Sequence, residues 1–364
     1  MPRSQDGHSP PEAKLRPGPR NTGTLFASPP SGHGTEVWSS ASWREAAVSW
    51  LDEQLAAARI ERTGEVEQPH LRPWANVLKV PTSVGPVWLK AAAPTTASEV
   101  RLYDLLQRVS PDHAMQPIAA DLDRGWVLLP DGGPSLGETL SGGELADALT
   151  RALPEYGRLQ RNLAPHADEL VAMGLADMRP DVRPTRFDEA FATAGDYVER
   201  HGSTADRETL ARVKGLRDTY ASWCERLALS PVSASLDHND LHPWNILVGT
   251  DGHARFYDFG DGVVAHPFSS MLLGLGWFPL RLGIEPEQPP FVHARDAYLE
   301  VFSDLAPHAE LVETLQLACR VGKVARALTW ERAVRELAEE GAEHADAPFE
   351  TMGSLLDESY LGRT

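Results

Sequence analysis

The sequence of 364 residues contains only two cysteines, Cys224 and Cys319. Two cysteines cannot build a disulfide framework, and no neighbouring His or further Cys completes a metal site around either one. Both are therefore predicted to be ordinary core thiols in a reducing compartment.

Long hydrophobic runs are also missing. The most apolar stretch, residues 271–280, is about half the length that a bilayer requires. The N-terminus lacks the basic region followed by an apolar segment that is typical of a secretory signal. These absences predict a cytoplasmic protein without a membrane partner.

Positive charge is scarce as well. Lys and Arg number 34 against 52 Asp and Glu, which gives a formal net charge of −18 with His neutral. A surface with this balance repels a phosphate backbone, so nucleic acid is not expected as a partner. The content of 42% hydrophobic and 24% charged residues is otherwise typical of a globular protein, and the length favours two packed units.

The chain divides into three regions. Residues 1–34 are rich in Pro and Gly and are predicted to form a disordered leader, because they cannot bury enough apolar surface to offset the entropy of ordering. Residues 35–130 contain short β-favouring runs bounded by Pro and Gly, whereas residues 131–364 are dominated by helical patterns. We therefore predict an α+β fold with an N-terminal nucleotide-binding lobe and a larger, mainly helical C-terminal lobe that carries the catalytic and acceptor sites.

Hydrophobic periodicity places the main elements within these regions. The β-like runs predict a hairpin over 76–80 and 86–90 and strands over 115–119 and 126–129. The helical patterns cover 42–59, 95–109, 143–162, 185–201, 207–227, 295–303 and 311–340. The acidic tail over 339–358 is predicted to be solvated or loosely docked.

One stretch carries the chemistry. It contains His238-x-Asp240-x-x-x-x-Asn245, and an Asp-Phe-Gly run follows that begins at Asp258. Two apolar runs around Thr250-Asp251-Gly252 predict a hairpin that brings Asp240, Asn245 and Asp258 to one mouth. Two carboxylates and an amide are oxygen ligands suited to Mg²⁺. The spacing is that of a kinase catalytic loop and metal motif, with Asp240 as base and Asn245 and Asp258 as metal ligands. The alternative, turn and cap residues of an ordinary hairpin, requires all of these matches to be coincidental.

The run Asp240-Leu241-His242-Pro243-x-Asn245, together with Asp258-Phe259-Gly260-Asp261, resembles the aminoglycoside phosphotransferase and choline kinase family. The resemblance implies a bilobal protein-kinase-like fold with a small antiparallel sheet and one helix in the N-terminal lobe. It also implies ATP, with GTP as an alternative donor, and Mg²⁺ as cofactors. His242 stands where protein kinases usually have Lys or Arg, and no room follows Asp261 for a long activation loop, so a small-molecule acceptor is favoured over a protein.

The resemblance also implies residues of the nucleotide site. Lys90 would contact the ATP phosphates and Glu99 would hold it, although a solvated lysine and a glutamate favoured by a helix dipole are simpler alternatives. The strand over 126–130 would be the hinge, with the backbone around Leu129 meeting adenine. A Gly-rich phosphate loop is missing, and residues 68–74 occupy its place.

The function expected from the resemblance is phosphorylation of a hydroxyl group of a small molecule, an aminoglycoside or another amine-bearing metabolite. An acidic lobe would attract such a cation. Trp244, where the family commonly has Gly, favours an uncharged or apolar acceptor such as a macrolide, a nucleoside or an antibiotic biosynthetic intermediate. A non-catalytic pseudokinase is a third alternative, and the oligomeric state stays open.

Four other predictions concern neighbouring side chains. His238 is predicted to be structural, hydrogen-bonded to loop backbone. His242 either touches substrate or braces the loop, and Asp261 either supports the metal or substrate or caps the loop. The aromatic group Trp244, Trp277 and Phe278 is predicted to be core rather than acceptor site.

Overall fold

The computed structural model describes residues 34–249 and 251–361, without the side chains of 338–340. The predicted leader therefore lies outside the described residues, apart from Gly34, which begins helix α1 (Gly34–Trp38). Helix α2 (Ala41–Ala57) follows, and its N-cap is Ser40, whose Oγ accepts a hydrogen bond from the Trp43 backbone N–H at 3.2 Å. The predicted start at Ser42 is therefore two residues late.

The N-terminal sheet is antiparallel throughout and has the strand order β1-β2-β3-β5-β4. Its strands are β1 (Glu67–Arg72), β2 (Ala75–Val80), β3 (Val87–Ala92), β4 (Ala119–Asp121) and β5 (Trp126–Pro130). The predicted hairpin is confirmed as β2 and β3. The predicted strand over 115–119 is wrong, because β4 begins only at Ala119. Pro117 interrupts this segment, since proline has no N–H to donate to a ladder.

The two faces of this sheet are covered by different helices. Trp50 and Leu51 of α2 pack in one apolar cluster with Leu89 of β3. Helix α3 (Ser98–Val109), predicted as 95–109, contributes Val100 and Tyr103 to the other cluster, which continues into the helical part of the chain. The sheet is thus held at the edge of the larger core.

The remaining chain is mainly helical, as predicted. Its helices are α4 (Leu136–Thr139), α5 (Gly142–Leu163), α6 (Ala167–Ala172), α7 (Arg183–His201), α8 (Thr204–Gly215), α9 (Arg217–Ala228), α10 (Met271–Gly274), α11 (Pro289–Glu300), α12 (His308–Leu337) and α13 (Ala347–Gly353). Its strands are β6 (Ala176–Asp177), β7 (Ser235–Asp237), β8 (Ile246–Val248), β9 (Ala254–Phe256) and β10 (Val263–Ala265). Strands β8 and β9 form the predicted hairpin.

Three predictions for this part need correction. The helix expected over 207–227 is two helices, because Gly215, a poor helix former, ends α8. The helix expected over 295–303 begins earlier, at Pro289 in α11, where proline suits a first helical turn. The acidic tail is docked rather than solvated, since Phe349 and Met352 of α13 are buried in the main core.

The described residues include no helix that is both long and apolar enough to cross a membrane. Cys224 and Cys319 are both buried and free, as predicted for core thiols. Burial raises the pKa of Cys224 to about 11, which keeps this thiol protonated and unreactive.

Candidate active site

Lys90 lies at the centre of one ion-pair cluster. Its Nζ is 2.6 Å from Glu99 Oε2 and 2.6 Å from Asp258 Oδ1. Strand β3 supplies the lysine, α3 the glutamate and the segment after β9 the aspartate. Glu99 is fully buried, and its Oε1 also accepts a hydrogen bond from the Phe259 N–H at 3.2 Å. The structure therefore brings together three residues that the sequence singled out from distant positions.

Backbone conformation aims Asp258 at this cluster. Asp258 has φ of +60°, in the left-handed region that few non-glycine residues adopt. Its side chain remains 51% exposed, so one carboxylate oxygen faces the open cleft while the other contacts Lys90. Such unfavourable backbone geometry is common at functional sites.

Asp240 occupies a loop braced from several sides. His238 is fully buried, and its Nε2 lies 3.0 Å from the Tyr257 carbonyl, which confirms the structural contact predicted for it. Asn245 Nδ2 donates to the Asp240 carbonyl at 3.0 Å. Asn239 also has a left-handed φ, of +59°, and its amide donates to Thr329 Oγ1 of α12 at 2.7 Å.

Arg326 of α12 makes the most direct contact with Asp240. Its Nη1 lies 3.0 Å from Asp240 Oδ1 and 3.0 Å from the Asn239 carbonyl oxygen. On the other side, His242 Nε2 is 3.3 Å from Asp240 Oδ2. The motifs did not indicate Arg326, because it lies 86 residues beyond Asp240 in an ordinary helical pattern.

These contacts determine the charges of the site. Burial raises the pKa of Asp240, but the hydrogen bond with His242 and the charge of Arg326 outweigh it and hold that pKa well below its ordinary value. Burial lowers the pKa of Lys90, yet Asp258 and Glu99 raise it further, so the net shift is upward. Asp240 is therefore anionic and Lys90 cationic at neutral pH.

The cluster and Asp240 open into one cavity of about 450 Å³, which we call the cleft. Lys90, Asp240, Asp258 and Arg326 line it, together with Arg72 and Trp74 from the tight β1–β2 turn. This turn occupies the position where a Gly-rich loop was missing. Arg72 is thus a second residue that the motifs did not indicate, although it lies within the segment 68–74.

A second cavity of about 140 Å³ adjoins the cleft at Asp240, Arg326 and Trp330, which line both, and we call it the side pocket. It is lined by Asp240, His242, Leu273, Gly276, Trp277, Leu280, Arg281, Arg326 and Trp330. Trp244 is 42% exposed, and its ring is tilted against that of Trp277 with the centroids 5.3 Å apart, whereas Phe278 is fully buried. The aromatic group is therefore core only at Phe278. The helical segment after α10 brings Trp277 to the pocket wall.

A divalent cation fits the donor set at the cleft. Asp258 has carboxylate oxygen exposed there. Asn245 is buried and absent from the described lining of the cleft. Its amide nitrogen is used by the Asp240 loop, which leaves its oxygen as a candidate ligand. Among the described residues no group of three His, Cys, Asp or Glu could hold a metal alone. Mg²⁺ suits such a sparse site, because it keeps waters and binds substrate phosphates.

Two predicted residues are placed differently from the rest. Leu129 lies in β5 opposite Trp88 of β3, and it is absent from the described lining of the cleft, so its contact with adenine stays a prediction. Asp261 forms an ion pair with Arg332 of α12, whose Nη1 also donates to the Gly260 carbonyl at 3.2 Å. Asp261 thus ties the Asp-Phe-Gly segment to α12.

Solved structures of small-molecule kinases share this fold. A macrolide 2'-phosphotransferase from Brachybacterium faecium is 17% identical, with a TM-score of 0.52, and the match covers 84% of this chain and 98% of that one. An ethanolamine kinase from Plasmodium vivax is 13% identical, with a TM-score of 0.59 over 86% and 89%. A spectinomycin phosphotransferase in complex with ADP and spectinomycin is 11% identical, with a TM-score of 0.52 over 86% and 96%.

The fold is therefore the α+β, protein-kinase-like fold of small-molecule phosphotransferases, as the sequence predicted. Residues 53–311 match the model of the phosphotransferase enzyme family APH, and the chain belongs to that family. No curated protein sequence matches the chain significantly.

Proposed function

We propose that this protein transfers the terminal phosphoryl group of ATP, as its Mg²⁺ complex, to a hydroxyl group of a small molecule. The observation that carries the proposal is the position of Asp240. It is anionic and lies between a cleft with a lysine-centred ion-pair cluster and a side pocket large enough for part of an acceptor. A base must lie within hydrogen-bond reach of the hydroxyl that it orients, and this position allows it.

The charges around the cleft support phosphate binding. Lys90 and Arg326 both line it, and so does Arg72 at the end of β1. Phosphoryl transfer depends mainly on positioning and on neutralising the charge of the transferred group. Asn245 and Asp258 would hold Mg²⁺, which when bound neutralises phosphate charge. Leu129 would meet adenine through its backbone.

Two classes of acceptor follow from the sequence. The family resemblance favours an aminoglycoside or another amine-bearing metabolite, whereas Trp244 favours an uncharged or apolar acceptor. The partly exposed Trp277 in the wall of the side pocket, with Trp244 packed against it, keeps the second class under consideration, because aromatic side chains bind the faces of rings. In either class the protein acts without nucleic acid or membrane as partner.

The test is a mass-spectrometric search for phosphorylated products among hydroxylated antibiotics and metabolites incubated with the protein and Mg-ATP. Asp240→Asn is expected to lower the rate roughly 100- to 10,000-fold, because it removes the proton acceptor while conserving size. Asp251→Asn in the exposed β8–β9 turn is the matched control and keeps full activity. Product formation that is equal in wild type and Asp240→Asn would refute the assignment, and a protein that binds no Mg-ATP in calorimetry is a pseudokinase.

A further inference from the structure

The side pocket has a charge balance opposite to that of the whole chain. Acidic residues outnumber basic ones by 52 to 34 in the sequence. The described lining of the side pocket instead contains one carboxylate, Asp240, against Arg281, Arg326 and His242. Asp240 is itself already contacted by Arg326 at 3.0 Å and by His242 at 3.3 Å. An ammonium group in this pocket would therefore find like charges and no unoccupied carboxylate.

Aromatic faces could in principle bind an ammonium group instead, but the protein covers them with its own cations. The guanidinium carbon of Arg281 lies over the Trp277 ring at 5.6 Å from the centroid. That of Arg326 lies over the Trp330 ring at 5.2 Å. Each stacked pair satisfies the negative ring face internally, so the two tryptophans do not form a cage for an amine.

The same stacking leaves guanidinium N–H groups available to a ligand. Arg281 is exposed at the pocket, and no carboxylate in the described ranges lies within ion-pair distance of it. The Nε of Arg326 also has no hydrogen-bond partner among the described residues, but it is buried, so Arg281 is the guanidinium that a ligand can reach. A guanidinium without a carboxylate partner can donate several N–H groups to a planar or tetrahedral oxyanion.

Resting on the function proposed above, we infer that the acceptor carries an anionic group, a carboxylate or a phosphate, near the hydroxyl that is phosphorylated. The hydroxyl would lie at Asp240 and the anionic group at Arg281, against the apolar wall of Leu273 and Trp277. The volume of about 140 Å³ is below the range of drug-sized pockets, roughly 300–1,000 Å³. The side pocket therefore takes a small acceptor or only the reacting end of a larger one.

A larger cavity offers the competing explanation. It has a volume of about 1150 Å³, and its described lining includes Asp206, Glu285, Glu287, Glu350, Asp357 and Glu358. It shares only Leu280 with the described lining of the side pocket and none of the described residues around Asp240. A polyamine bound there would have to reach past Leu280 to present a hydroxyl.

The experiment sorts the hydroxylated compounds of the phosphorylation screen into three sets: carboxylate- or phosphate-bearing, uncharged and amine-bearing. Wild type, Arg281→Gln and Arg281→Glu are compared on every compound that gains a phosphate. Arg124→Gln is the matched control, because Arg124 also lies over a tryptophan ring, that of Trp126 at 5.0 Å, but belongs to the turn between β4 and β5 in the N-terminal lobe. Glu287→Gln tests the acidic cavity.

We expect products in the anionic set, with carboxylates and phosphates compared separately to show which oxyanion is preferred. Arg281→Gln should lower kcat/KM roughly 10- to 100-fold, chiefly by raising the acceptor KM, since a charge-assisted hydrogen bond is lost. Arg281→Glu should lower it further, and Arg124→Gln and Glu287→Gln should leave it unchanged. The KM for ATP should be the same in all four variants.

Products confined to the uncharged or amine-bearing sets overturn the inference, as does an anionic acceptor whose kcat/KM is unaffected by Arg281→Gln. A loss with Glu287→Gln but not with Arg281→Gln favours the polyamine explanation and also overturns it. These results leave the kinase function standing. That function fails separately, if wild type neither binds Mg-ATP nor phosphorylates any compound.

Discussion

The two sides of Asp240 are built in different ways. On the cleft side, Lys90 contacts Glu99 and Asp258 at 2.6 Å each. Asp258 belongs to a short motif of fixed spacing, and Glu99 lies on the first helix after the strand that carries Lys90. On the side-pocket side, Arg281 comes from the π-helical turn Phe278–Leu282, far along the sequence. Arg326 and Trp330 of α12 line both cavities. The cleft side is rich in paired opposite charges, whereas the side pocket is rich in arginines stacked on tryptophans.

Under the proposed function, the difference reflects what each side would recognise. A triphosphate with its metal always presents the same anionic oxygens, so a small set of oxygen ligands and cations can serve it. An acceptor is recognised by its particular shape and charge, and any element that reaches the pocket can supply the groups. Substitutions on the two sides should therefore have separable effects, on the ATP-dependent step and on the acceptor.

Among substitutions that act on one side of Asp240 only, the largest effect is expected on the cleft side, from Lys90→Met. Methionine approximately conserves the volume of lysine but removes the cation between Glu99 and Asp258. The fully buried Glu99 then loses its ion-pair partner, and kcat/KM for the transfer should fall roughly 100- to 1,000-fold. Steady-state kinetics measure the fall in kcat/KM, and calorimetry measures the effect of the lost cation on Mg-ATP binding.

Lys79→Met on the neighbouring strand β2 is the control, because Lys79 stacks on Trp88 at 5.2 Å outside the described lining of the cleft. It should retain nearly all activity. If both variants lose activity to the same extent, the loss is not specific to Lys90, and its assignment to the nucleotide side of Asp240 is wrong.

The cleft side was also the more predictable one. The spacing from Asp240 to Asn245 and Asp258 follows from local backbone geometry, and the lysine of β3 followed from the family resemblance. Arg326 and Arg281 could not be predicted, since only the packing of α12 and of the helical segment after α10 brings them to the pocket that Asp240 lines. The docking of α13 escaped prediction for the same reason, because tertiary burial decided it.

Arg326→Gln tests the contact between Arg326 and Asp240, two residues that line both cavities. The charge of Arg326 helps to hold the pKa of Asp240 low, so removing that charge should raise the pKa. Transfer requires the anionic carboxylate, and activity is lost as the pH falls through this pKa. The acid limb of the pH profile of kcat/KM should therefore move to higher pH, and kcat/KM at neutral pH should fall roughly 10- to 100-fold.

Arg326→Lys is the conservative comparison, because it retains the positive charge but not the stacked guanidinium. It should keep the acid limb closer to that of wild type. A pH profile of Arg326→Gln that coincides with the wild-type profile would show that Arg326 does not control Asp240, even if the rate itself falls.

Substitution of Asn239 is expected to have a smaller effect, which is measured as a change in the free energy of unfolding. Its φ of +59° favours glycine over alanine, and its side chain ties the loop to Thr329 at 2.7 Å. Both variants lose the side-chain hydrogen bonds to Thr329 and to the Asp261 carbonyl. Asn239→Gly also adds freedom to the unfolded chain, a cost of about 0.4–1 kcal/mol, whereas Asn239→Ala acquires left-handed strain of about 1–2 kcal/mol. In urea unfolding the alanine variant should be less stable than the glycine variant, and equal stabilities would contradict the strained conformation.

The smallest effect is expected at Trp244, which packs against two residues of the side-pocket lining, Trp277 and His242. Its ring lies edge-on to His242 at 6.0 Å and beside Trp277 at 5.3 Å, and 42% of the residue is exposed. An aromatic pair contributes about 0.5–1.5 kcal/mol, so Trp244→Leu should raise the acceptor KM only a few-fold. The KM for ATP should stay unchanged, and Trp244→Phe should restore most of the loss. A change in the ATP KM instead would mean that Trp244 acts on the nucleotide side, and the two cavities would then not have separate effects on ATP and on the acceptor.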